Sequence, residues 1–399
     1  MALEGRHIVV VGAGIGGAAT ALLCSRAGAR VTLFESVSEP HAVSAGILLQ
    51  PNGLAVLYGL DLDERLARRG ARLSTLRVAD TAGRTLLDVR VPHFADGLDH
   101  ALVVRRSDLL AALIDLVVAE PAVTCRFGTE VMDVSVDGTV THRGPGGTDT
   151  VAADLVVGAD GVHSRVRKRS RVRAHVGRTF QYVRGLGAPV DVGSTLTEYW
   201  TGLGIFGVAP VDHGTYFYAS MDASAIRSAL YERDFALFRA EWARVLPIAG
   251  EVLASVHRFE DVAINEVIRV DCERWAAGRI VLLGDAAHAM APNLGQGGNS
   301  ALVDATVLVW ELVQSNEQKD ALARYDTRRR AAVRLVQDTA DRIAWLSDLT
   351  NPMLRWLRDG AVRHLGSWLV GELLLRLVEQ TDPLWLRLAA SNPRGDVMV

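Results

Sequence analysis

The sequence predicts an α/β protein in which a discontinuous Rossmann-like nucleotide-binding domain carries an inserted domain with a mixed or antiparallel sheet, followed by C-terminal helices. Two observations support this prediction. Glycine-bearing turns follow apolar strands at residues 12–17, 158–161 and 284–298, too far apart to belong to one βαβ unit. From residue 179 to 257, aromatic residues are interleaved with glycine and β-branched residues, which is typical of antiparallel strands.

These observations divide the chain into three parts. We predict a nucleotide-binding domain of residues 1–74, 101–178 and 265–345. Residues 75–100 and 179–264 would form the substrate domain, whose sheet needs a partner to cover its apolar face. Residues 346–399 would form a C-terminal helical segment that packs on the nucleotide-binding domain.

The first turn lies in a compact βαβ unit. Residues 7–11 predict a strand, residues 12–17 read G-x-G-x-x-G, residues 18–27 predict a helix, and a second strand ends at Glu35. Glycines at this spacing allow a tight turn and the approach of a pyrophosphate to the helix N-terminus, and the acid can accept hydrogen bonds from ribose hydroxyls. The unit therefore predicts a dinucleotide site, and by itself it leaves NAD and FAD open.

The segments between the turns carry weaker signals. Residues 75–89 predict a hairpin, and residues 108–119 predict a helix capped by Ser107 or Asp108. After the second turn, the basic residues between Arg165 and Arg173 predict a solvated face more strongly than a phosphate contact.

The third turn has the richest pattern. Residues 280–283 predict a buried strand, the loop 294–299 contains three glycines, and a helix is predicted to open at Ser300. Backbone N–H groups at such a helix start favour negative charge. Farther on, residues 328–330 are three arginines, which we interpret as a solvated helix face.

Composition excludes several partners. The chain has 399 residues, of which 49% are hydrophobic, and a formal net charge of -3, so no overall field attracts nucleic acid. Its cysteines, Cys24, Cys125 and Cys272, lack the spacing of a metal site or a disulfide framework, which favours the cytoplasm. Residues 368–378 are too short and too charged to span a bilayer. We expect a monomer or a homodimer without a metal ion.

The three turns together resemble the motifs of the group A flavoprotein monooxygenases, the p-hydroxybenzoate hydroxylase superfamily, and in particular its branch of salicylate hydroxylase-like enzymes and zeaxanthin epoxidase. Residues 12–17 with Glu35 are similar to the motif for the ADP part of FAD. Residues 158–167, GADGVHSRVR, match the second motif, and residues 284–292, GDAAHAMAP, match the third. The resemblance covers residues 5 to 345.

The resemblance implies FAD as the cofactor and assigns its contacts. The Asp of the third motif would hold the ribityl chain, and residues 295–299 would lie beside the isoalloxazine ring. Arg105 stands where the family keeps a flavin-contacting arginine, and Gly46 belongs to a loop like the family's mobile-flavin loop. The implied cofactor-binding residues are Gly12, Gly14, Ile15, Gly16, Gly17, Glu35, Gly46, Arg105, Asp160, Asp285, Pro292, Gly295, Gly297, Gly298 and Asn299.

The resemblance also implies an activity. NADPH or NADH would reduce FAD, O2 would form a flavin C4a-hydroperoxide, and one oxygen atom would enter an aromatic, polycyclic or terpenoid molecule by hydroxylation or epoxidation. One alternative is a flavin-dependent reductase or dehydrogenase of the same fold, and a weaker one is a non-enzymatic flavin-binding module. The catalytic residues stay open, with Arg184, Tyr182 and His288 as candidates.

Overall fold

The computed structural model describes residues 3–39, 45–364 and 380–394. Its strands are β1 (His7–Val11), β2 (Arg30–Phe34), β3 (Gly46–Leu49), β4 (Ala71–Leu73), β5 (Thr75–Ala79), β6 (Thr85–Arg90), β7 (Ala101–Arg105), β8 (Val123–Arg126), β9 (Glu130–Val134), β10 (Thr139–Gly144), β11 (Gly147–Ala152), β12 (Leu155–Gly158), β13 (Ala174–Gly187), β14 (Thr195–Thr201), β15 (Gly204–Val211), β16 (Gly214–Ser220), β17 (Ala263–Cys272), β18 (Ala276–Ala277) and β19 (Ile280–Leu282).

Helices connect these strands and cover the sheets. They are α1 (Ile15–Arg26), α2 (Pro51–Gly59), α3 (Asp63–Ala67), α4 (Arg106–Ala119), α5 (Arg165–Arg169), α6 (Ser224–Tyr231), α7 (Phe235–Val245), α8 (Pro247–Val252), α9 (Asp285–His288), α10 (Gly297–Gln314), α11 (Gln318–Ser347), α12 (352–364) and α13 (Pro383–Ser391). Short 3-10 turns lie at Leu253–Ser255, Phe259–Asp261 and Pro292–Leu294.

The three glycine-bearing turns follow three adjacent parallel strands. The first sheet has the order β18-β19-β12-β1-β2-β8. Val9 of β1 pairs in parallel with Val156 of β12, which pairs in parallel with Ile280 of β19. Parallel strands end at the same sheet edge, where ligands of open α/β sheets bind. The predicted α/β fold with a discontinuous Rossmann-like domain is confirmed, because distant segments share this edge.

The centre of this domain is apolar on both faces of the sheet. Strand β1 buries four of its five residues, and helix α1 is buried from Ile15 to Ser25 between the sheet and α10. A near-continuous run of buried residues is what a parallel strand covered by helices requires. The strand ends are therefore held rigidly, and the turns that follow them are positioned by the core.

A seven-stranded sheet forms the second layer, with the order β17-β13-β16-β15-β14-β5-β6. Alternate side chains give it two different faces. One face, with Val183, Phe206 and Phe217, packs against helices α6, α7 and α8. The other carries Tyr182 and Tyr218 and faces the turns of the first domain. The inserted sheet is thus covered by its own helices on one side only.

Two predicted domain boundaries fall inside strands of this sheet. The boundary after residue 178 cuts β13, and the boundary after residue 264 cuts β17. Both strands run from the second sheet to the first domain, and they pair with each other from Ala174–Cys272 to Arg184–Ala263. The division into domains stays a prediction, but these two long strands connect its parts without a linker.

The C-terminal helices pack in different ways. Helix α13 packs against α2, where a Cβ on Gly59 would lie 2.6 Å from the Cβ of Ala390. Trp385 stacks edge-on against Trp310, whereas Trp356 is exposed. Trp368 and the apolar stretch 368–378 lie outside the described residues. Among the described helices, none combines the length and the apolar character that a membrane crossing needs.

Two helix starts differ from their predictions. Helix α4 begins at Arg106, and neither Ser107 nor Asp108 caps it with its side chain. Helix α10 begins at Gly297, three residues before Ser300. In both cases the strand or loop that precedes the helix aims its first turn at the cavity described below, so tertiary position rather than a capping side chain sets the start.

Candidate active site

A cavity of about 1100 Å³ lies between the strand ends of the first sheet and the open face of the seven-stranded sheet. Nine predicted cofactor residues line it, namely Gly14, Ile15, Gly16, Gly46, Asp285, Pro292, Gly295, Gly297 and Gly298. Two of the candidate catalytic residues, Arg184 and Tyr182, line it as well. Ala159 and Gly161 of the second motif also line it, so residues from all three motifs meet the substrate sheet at a single site.

The first turn needs its glycines for two different reasons. A Cβ on Gly12, whose φ is +99°, would lie 2.5 Å from the Ala159 carbonyl oxygen, and one on Gly17 would lie 1.9 Å from the Gly12 oxygen. Gly14 precedes α1, and a Cβ added to it would have nothing within 4 Å, so this residue faces open space. Close packing on one side and open space before a helix N-terminus fit a pyrophosphate.

Glu35 closes this turn from the neighbouring strand. Its Oε2 accepts a hydrogen bond of 2.8 Å from the backbone N–H of Ala13, and its Oε1 accepts one of 3.0 Å from that of Val37. Oε1 also accepts the Ser36 hydroxyl at 3.1 Å, so Oε2 is the oxygen that retains a second lone pair. A role toward ribose hydroxyls stays a prediction that this position allows.

The second turn uses its acid for its own structure. Asp160 Oδ2 accepts hydrogen bonds from the backbone N–H groups of Arg165, at 2.7 Å, and Val166, at 3.0 Å, and its Oδ1 accepts the Ser164 hydroxyl. The carboxylate thus points into the turn, and it does not line the cavity. The side chain of Asp160 holds the start of α5, and a direct contact of this residue with the cofactor stays a prediction.

The basic run after this turn is only partly solvated. Arg165 and Arg169 form exposed ion pairs with Glu130 and Asp133. Arg167 is 4% exposed and donates to the carbonyl oxygens of Val162 and Ala286, both at 2.7 Å. The prediction of a solvated face is wrong for Arg167, which ties the second motif to the third.

The third turn presents polar groups to the cavity. Asp285 opens α9 and lines the cavity, with its Oδ1 4.0 Å from the position of a Cβ on Gly297. Gly297 and Gly298 are the first residues of α10, and the first N–H groups of a helix have no intrahelical acceptor. The carboxylate and these N–H groups face the same space, where they can hold a ring with both donors and acceptors.

Asn299 joins two loops instead of contacting the cavity. It is fully buried, its Oδ1 accepts the N–H of Gln50 at 3.0 Å, and its Nδ2 donates to the carbonyl oxygens of Leu48, at 2.9 Å, and Gly295, at 2.7 Å. Both polar atoms of the side chain have partners within the chain, and a contact of Asn299 with the cofactor stays a prediction. It fixes the loop after β3 to the loop before α10.

Two consecutive arginines lie at the predicted flavin-contacting position, and the contact by Arg105 stays a prediction. Arg105 donates to the Asp212 carbonyl oxygen at 2.9 Å and does not line the cavity, whereas Arg106 does. Burial and the nearby charge of Arg184 lower the pKa of Arg106, and Asp285 opposes them. Arg105 is the last residue of β7 and Arg106 is the first residue of α4, and only the latter lines the cavity. Arg106 is the residue that faces the predicted cofactor position.

His288 lies behind the cavity in a buried ionic cluster. Its Nε2 is 2.5 Å from Asp304 Oδ2, and its ring stacks on Trp275. Asp304 also accepts from the Gly284 N–H at 3.0 Å and from Arg329 Nε at 2.7 Å. Through these contacts His288 supports the turn, and a catalytic role for it stays a prediction.

This cluster contradicts the prediction of a solvated face for Arg329, whereas Arg328 is exposed as predicted. Arg329 is 0% exposed and also donates to Gln380 Oε1 at 2.8 Å. Burial raises the pKa of Asp304, but the charges of His288 and Arg329 and their hydrogen bonds outweigh it and lower that pKa to about 2. A buried arginine becomes acceptable because α10 places this carboxylate against α11.

The wall formed by the seven-stranded sheet is aromatic and carries a second buried carboxylate. Glu198 is 6% exposed and accepts hydrogen bonds from Trp200 Nε1 at 2.7 Å and from the Tyr218 hydroxyl at 2.8 Å. Burial raises the pKa of Glu198, against the effect of these two hydrogen bonds. Arg184, on the same wall, donates to Asn265 Oδ1 at 2.7 Å.

Sequence reasoning missed four of the residues on this cavity surface. They are Arg106, Glu198, Tyr216 and Tyr218. For Glu198 a signal existed, since an acid inside the apolar aromatic strand LTEYW contradicts the surrounding pattern. For the two tyrosines the sequence contains no such signal, because strand register decides whether a side chain faces the cavity or the helices.

Comparisons with known proteins agree with this geometry. The FAD binding domain family model matches residues 6–340. A 3-amino-4-hydroxybenzoate 2-monooxygenase of Streptomyces cremeus is 34% identical over 85% of this chain and 86% of its own. A 6-methylpretetramide 4-monooxygenase of Streptomyces rimosus is 30% identical over 81% of this chain and 79% of its own.

Solved structures share the fold. The tetrameric form of 2-methyl-3-hydroxypyridine-5-carboxylic acid oxygenase superposes with a TM-score of 0.77 at 23% identity, covering 95% of this chain and 97% of the other. The family match at residues 6–340 includes all three glycine-bearing turns and the substrate sheet. The chain belongs to the FAD binding domain family and, within it, to the group A flavoprotein monooxygenases, so it is an FAD-dependent monooxygenase.

Proposed function

We propose that this enzyme hydroxylates an aromatic small molecule with NADPH or NADH as reductant and O2 as oxidant. The substrate C–H becomes C–OH, the second oxygen atom leaves as water, and the nicotinamide gives up a hydride while one proton is taken up. The observation that carries the proposal is the shared cavity, with the motif turns on one wall and an aromatic sheet face on the other. The names of the relatives, which specify aromatic substrates, support it.

The chain's own residues fit FAD in this cavity. The open space at Gly14 would hold the pyrophosphate, Asp285 would accept hydrogen bonds from the ribityl hydroxyls, and the N–H groups of Gly297 and Gly298 would face the negative edge of the ring. When bound, FAD supplies the hydride acceptance and oxygen activation. The protein orients the substrate and excludes water from the reacting atoms.

The aromatic wall can perform this second task. Tyr182 is 3% exposed, and Trp200 and Ile205 pack beside it in an apolar cluster. Burial raises the pKa of Tyr182 well above its usual value, so its hydroxyl stays protonated and can donate a hydrogen bond at neutral pH. Of the two catalytic candidates that line the cavity, Tyr182 is therefore the better one for orienting substrate, and Arg184 is the cationic one.

The test measures oxygen incorporation directly. The FAD-loaded enzyme is supplied with NADH or NADPH, isotopically labelled O2 and a panel of phenols, polyketides and terpenoids, and the products are analysed by mass spectrometry. One labelled atom in an aromatic product is the expected outcome. Substrate turnover without label would instead establish the reductase alternative, and a protein that neither retains FAD nor oxidises the nicotinamide would refute both enzyme functions.

Three finer features also belong to this proposal. We infer that the enzyme works in the cytoplasm, that it is a monomer or a homodimer, and that the same panel will distinguish NADH from NADPH. The tetrameric form of the pyridine-carboxylic acid oxygenase is a property of that protein. Size-exclusion chromatography with light scattering measures the state of this chain.

A further inference from the structure

One row of paired residues crosses the cavity wall from a cation to a carboxylate. Arg184 of β13 pairs with Tyr218 of β16, Tyr218 pairs with Gly207 of β15, and Gly207 pairs with Glu198 of β14. Directly paired residues present their side chains to the same face of a sheet. With neighbouring strands ~4.8 Å apart, the two ends of the row are separated by roughly 14 Å between Cα atoms.

The glycine in this row allows its two neighbours to meet. A Cβ on Gly207 would lie 2.0 Å from Cζ of Tyr218. The tyrosine ring therefore lies across β15, over the place where a side chain would be, and its hydroxyl reaches Glu198 Oε2 at 2.8 Å. A ring in this position gives the cavity wall an aromatic surface next to the Glu198 carboxylate.

Glu198 is a buried acid with acceptor capacity left. Its two oxygens each accept one hydrogen bond from a neutral donor, Trp200 or Tyr218. Within the described residues it forms no ion pair with Arg, Lys or His. A carboxylate has about four acceptor positions, and burial away from water makes unused ones costly. The carboxylate lines the cavity, so a ligand can supply the missing donor.

The opposite end of the row has the opposite character. Arg184 lies close enough to Arg106 to lower its pKa, and Arg106 interacts with Asp285 on the cofactor wall. The buried Nε of Arg184 has no hydrogen-bond partner among the described residues. A guanidinium only donates hydrogen bonds, so a donor group on a ligand is disfavoured at this end. The donor of the ligand should therefore lie at the Glu198 end of the row.

We propose that Glu198, held by Tyr218 and Trp200, is the subsite for a hydrogen-bond-donating substituent of the substrate, a phenolic O–H or an aromatic N–H, with the aromatic ring lying over Tyr218. This assignment rests on the proposed function, since it takes the cavity as the substrate site. It makes Glu198 a specificity-determining residue. It also narrows the substrate class to aromatic molecules with such a donor at the end remote from Arg184.

The experiment compares ligands that differ only in the donor. Phenol is paired with toluene and indole with benzofuran, and binding to the FAD-loaded enzyme is followed by the change in the flavin absorbance spectrum. The wild type should bind phenol and indole roughly 10- to 100-fold more tightly than their partners, the range expected for a hydrogen bond to a charged group. A preference in only one pair identifies the donor as O–H or N–H and supports the subsite.

Variants assign the preference to Glu198. Glu198→Leu should abolish it and Glu198→Gln should reduce it to a few-fold, whereas Tyr218→Phe should retain it because the carboxylate remains. Glu241→Gln is the matched control, since Glu241 lies on α7 at the covered face of the sheet and pairs with Arg244. Circular dichroism and FAD content establish that each variant is folded before binding is compared.

Two outcomes would overturn the subsite. One is a wild type that binds both members of each pair equally, and the other is a preference that survives unchanged in Glu198→Leu or, if that variant does not fold, in Glu198→Gln. Neither outcome depends on oxygen transfer, because binding is measured without reductant. Labelled products combined with no donor preference would refute the subsite alone, and a clear preference without labelled products would refute the monooxygenase reaction alone.

Discussion

Two buried carboxylates on opposite walls of the molecule show how differently the two regions use charge. Asp304, behind the cofactor wall, has two basic partners, His288 and Arg329, which lower its pKa to about 2 despite burial. Glu198, on the substrate wall, has only neutral donors, and burial raises its pKa. The charge of Asp304 is therefore balanced within the protein, and the charge of ionised Glu198 is not.

The difference follows from what each region must hold. Asp304 fixes the Gly284 turn to α10 and α11, which must stay in one arrangement whatever ligand is bound. A carboxylate with full partners gains nothing from a ligand, whereas one with spare acceptor capacity does. We infer that a buried carboxylate with basic partners inside the protein belongs to the scaffold here. A buried carboxylate that has only neutral donors takes part in ligand recognition. The following predictions can break this distinction.

The largest effect is expected when the scaffold carboxylate is removed. Asp304→Ala leaves Arg329 buried without a counter-charge and His288 without its hydrogen-bond partner, which should lower the free energy of unfolding by about 3–5 kcal/mol. Urea denaturation of the FAD-free protein measures it. Asp115→Ala, which removes an exposed partner of Arg65, should change stability by no more than about 0.5 kcal/mol. Equal losses in the two variants would show that the buried cluster is not the scaffold.

The pH dependence of this cluster has a definite sign. The pKa of Asp304 is depressed, so its contribution to stability is present above the unfolded value of ~3.9. It should be lost as the pH falls from about 4 toward the folded value of about 2. In Asp304→Asn this part of the acid dependence should be missing.

The next largest effect concerns the open space at the first turn. Gly14→Val places a branched side chain where nothing lies within 4 Å, and the pyrophosphate would occupy that space. FAD affinity should fall by more than ~100-fold, since the phosphate must move away from the helix N-terminus. Fluorescence titration with FAD measures the affinity. A yellow protein with full FAD content after purification would show that the first motif does not hold this cofactor.

The two consecutive arginines at the junction of β7 and α4 test which side chain contacts the cofactor. Arg106→Ala should weaken FAD binding by roughly tenfold, because it removes a cation that faces the cavity. Arg105→Ala removes a hydrogen bond to the Asp212 carbonyl oxygen and should change FAD affinity by less than about twofold. A larger loss of FAD affinity in Arg105→Ala than in Arg106→Ala would show that Arg105 is the contact.

The smallest effect distinguishes the two carboxylates most sharply. The folded pKa of Glu198 is raised, so ionised Glu198 destabilises the fold at any pH above that value. Glu198→Gln should therefore raise the free energy of unfolding at pH 8 by up to about 1 kcal/mol. The gain should disappear as the pH falls toward the unfolded value of ~4.3. A loss of stability at pH 8 would place Glu198 with Asp304 as a scaffold residue.

Local sequence patterns predicted the strands and the motif turns well, because each is specified by neighbouring residues. Strand His7–Val11 has its predicted bounds, and the glycines at 12 and 17 are required by close contacts at the turn itself. The same reasoning did not predict the hydrogen bonds that Arg105, Asn299 and Asp160 form within the chain. For Asn299 the reason is that its partners on Leu48 and Gln50 are about 250 positions away.

The sequence by itself determined the cofactor class and the fold, since three glycine motifs in order specify backbone shapes that few other ligands need. Only the tertiary structure decided what each polar side chain does. Arg329 is buried because α10 brings Asp304 to it, and Glu198 faces the cavity because four strands pair in one register. Side-chain partners come from distant segments, and their free energy depends on burial and charge that no single segment contains.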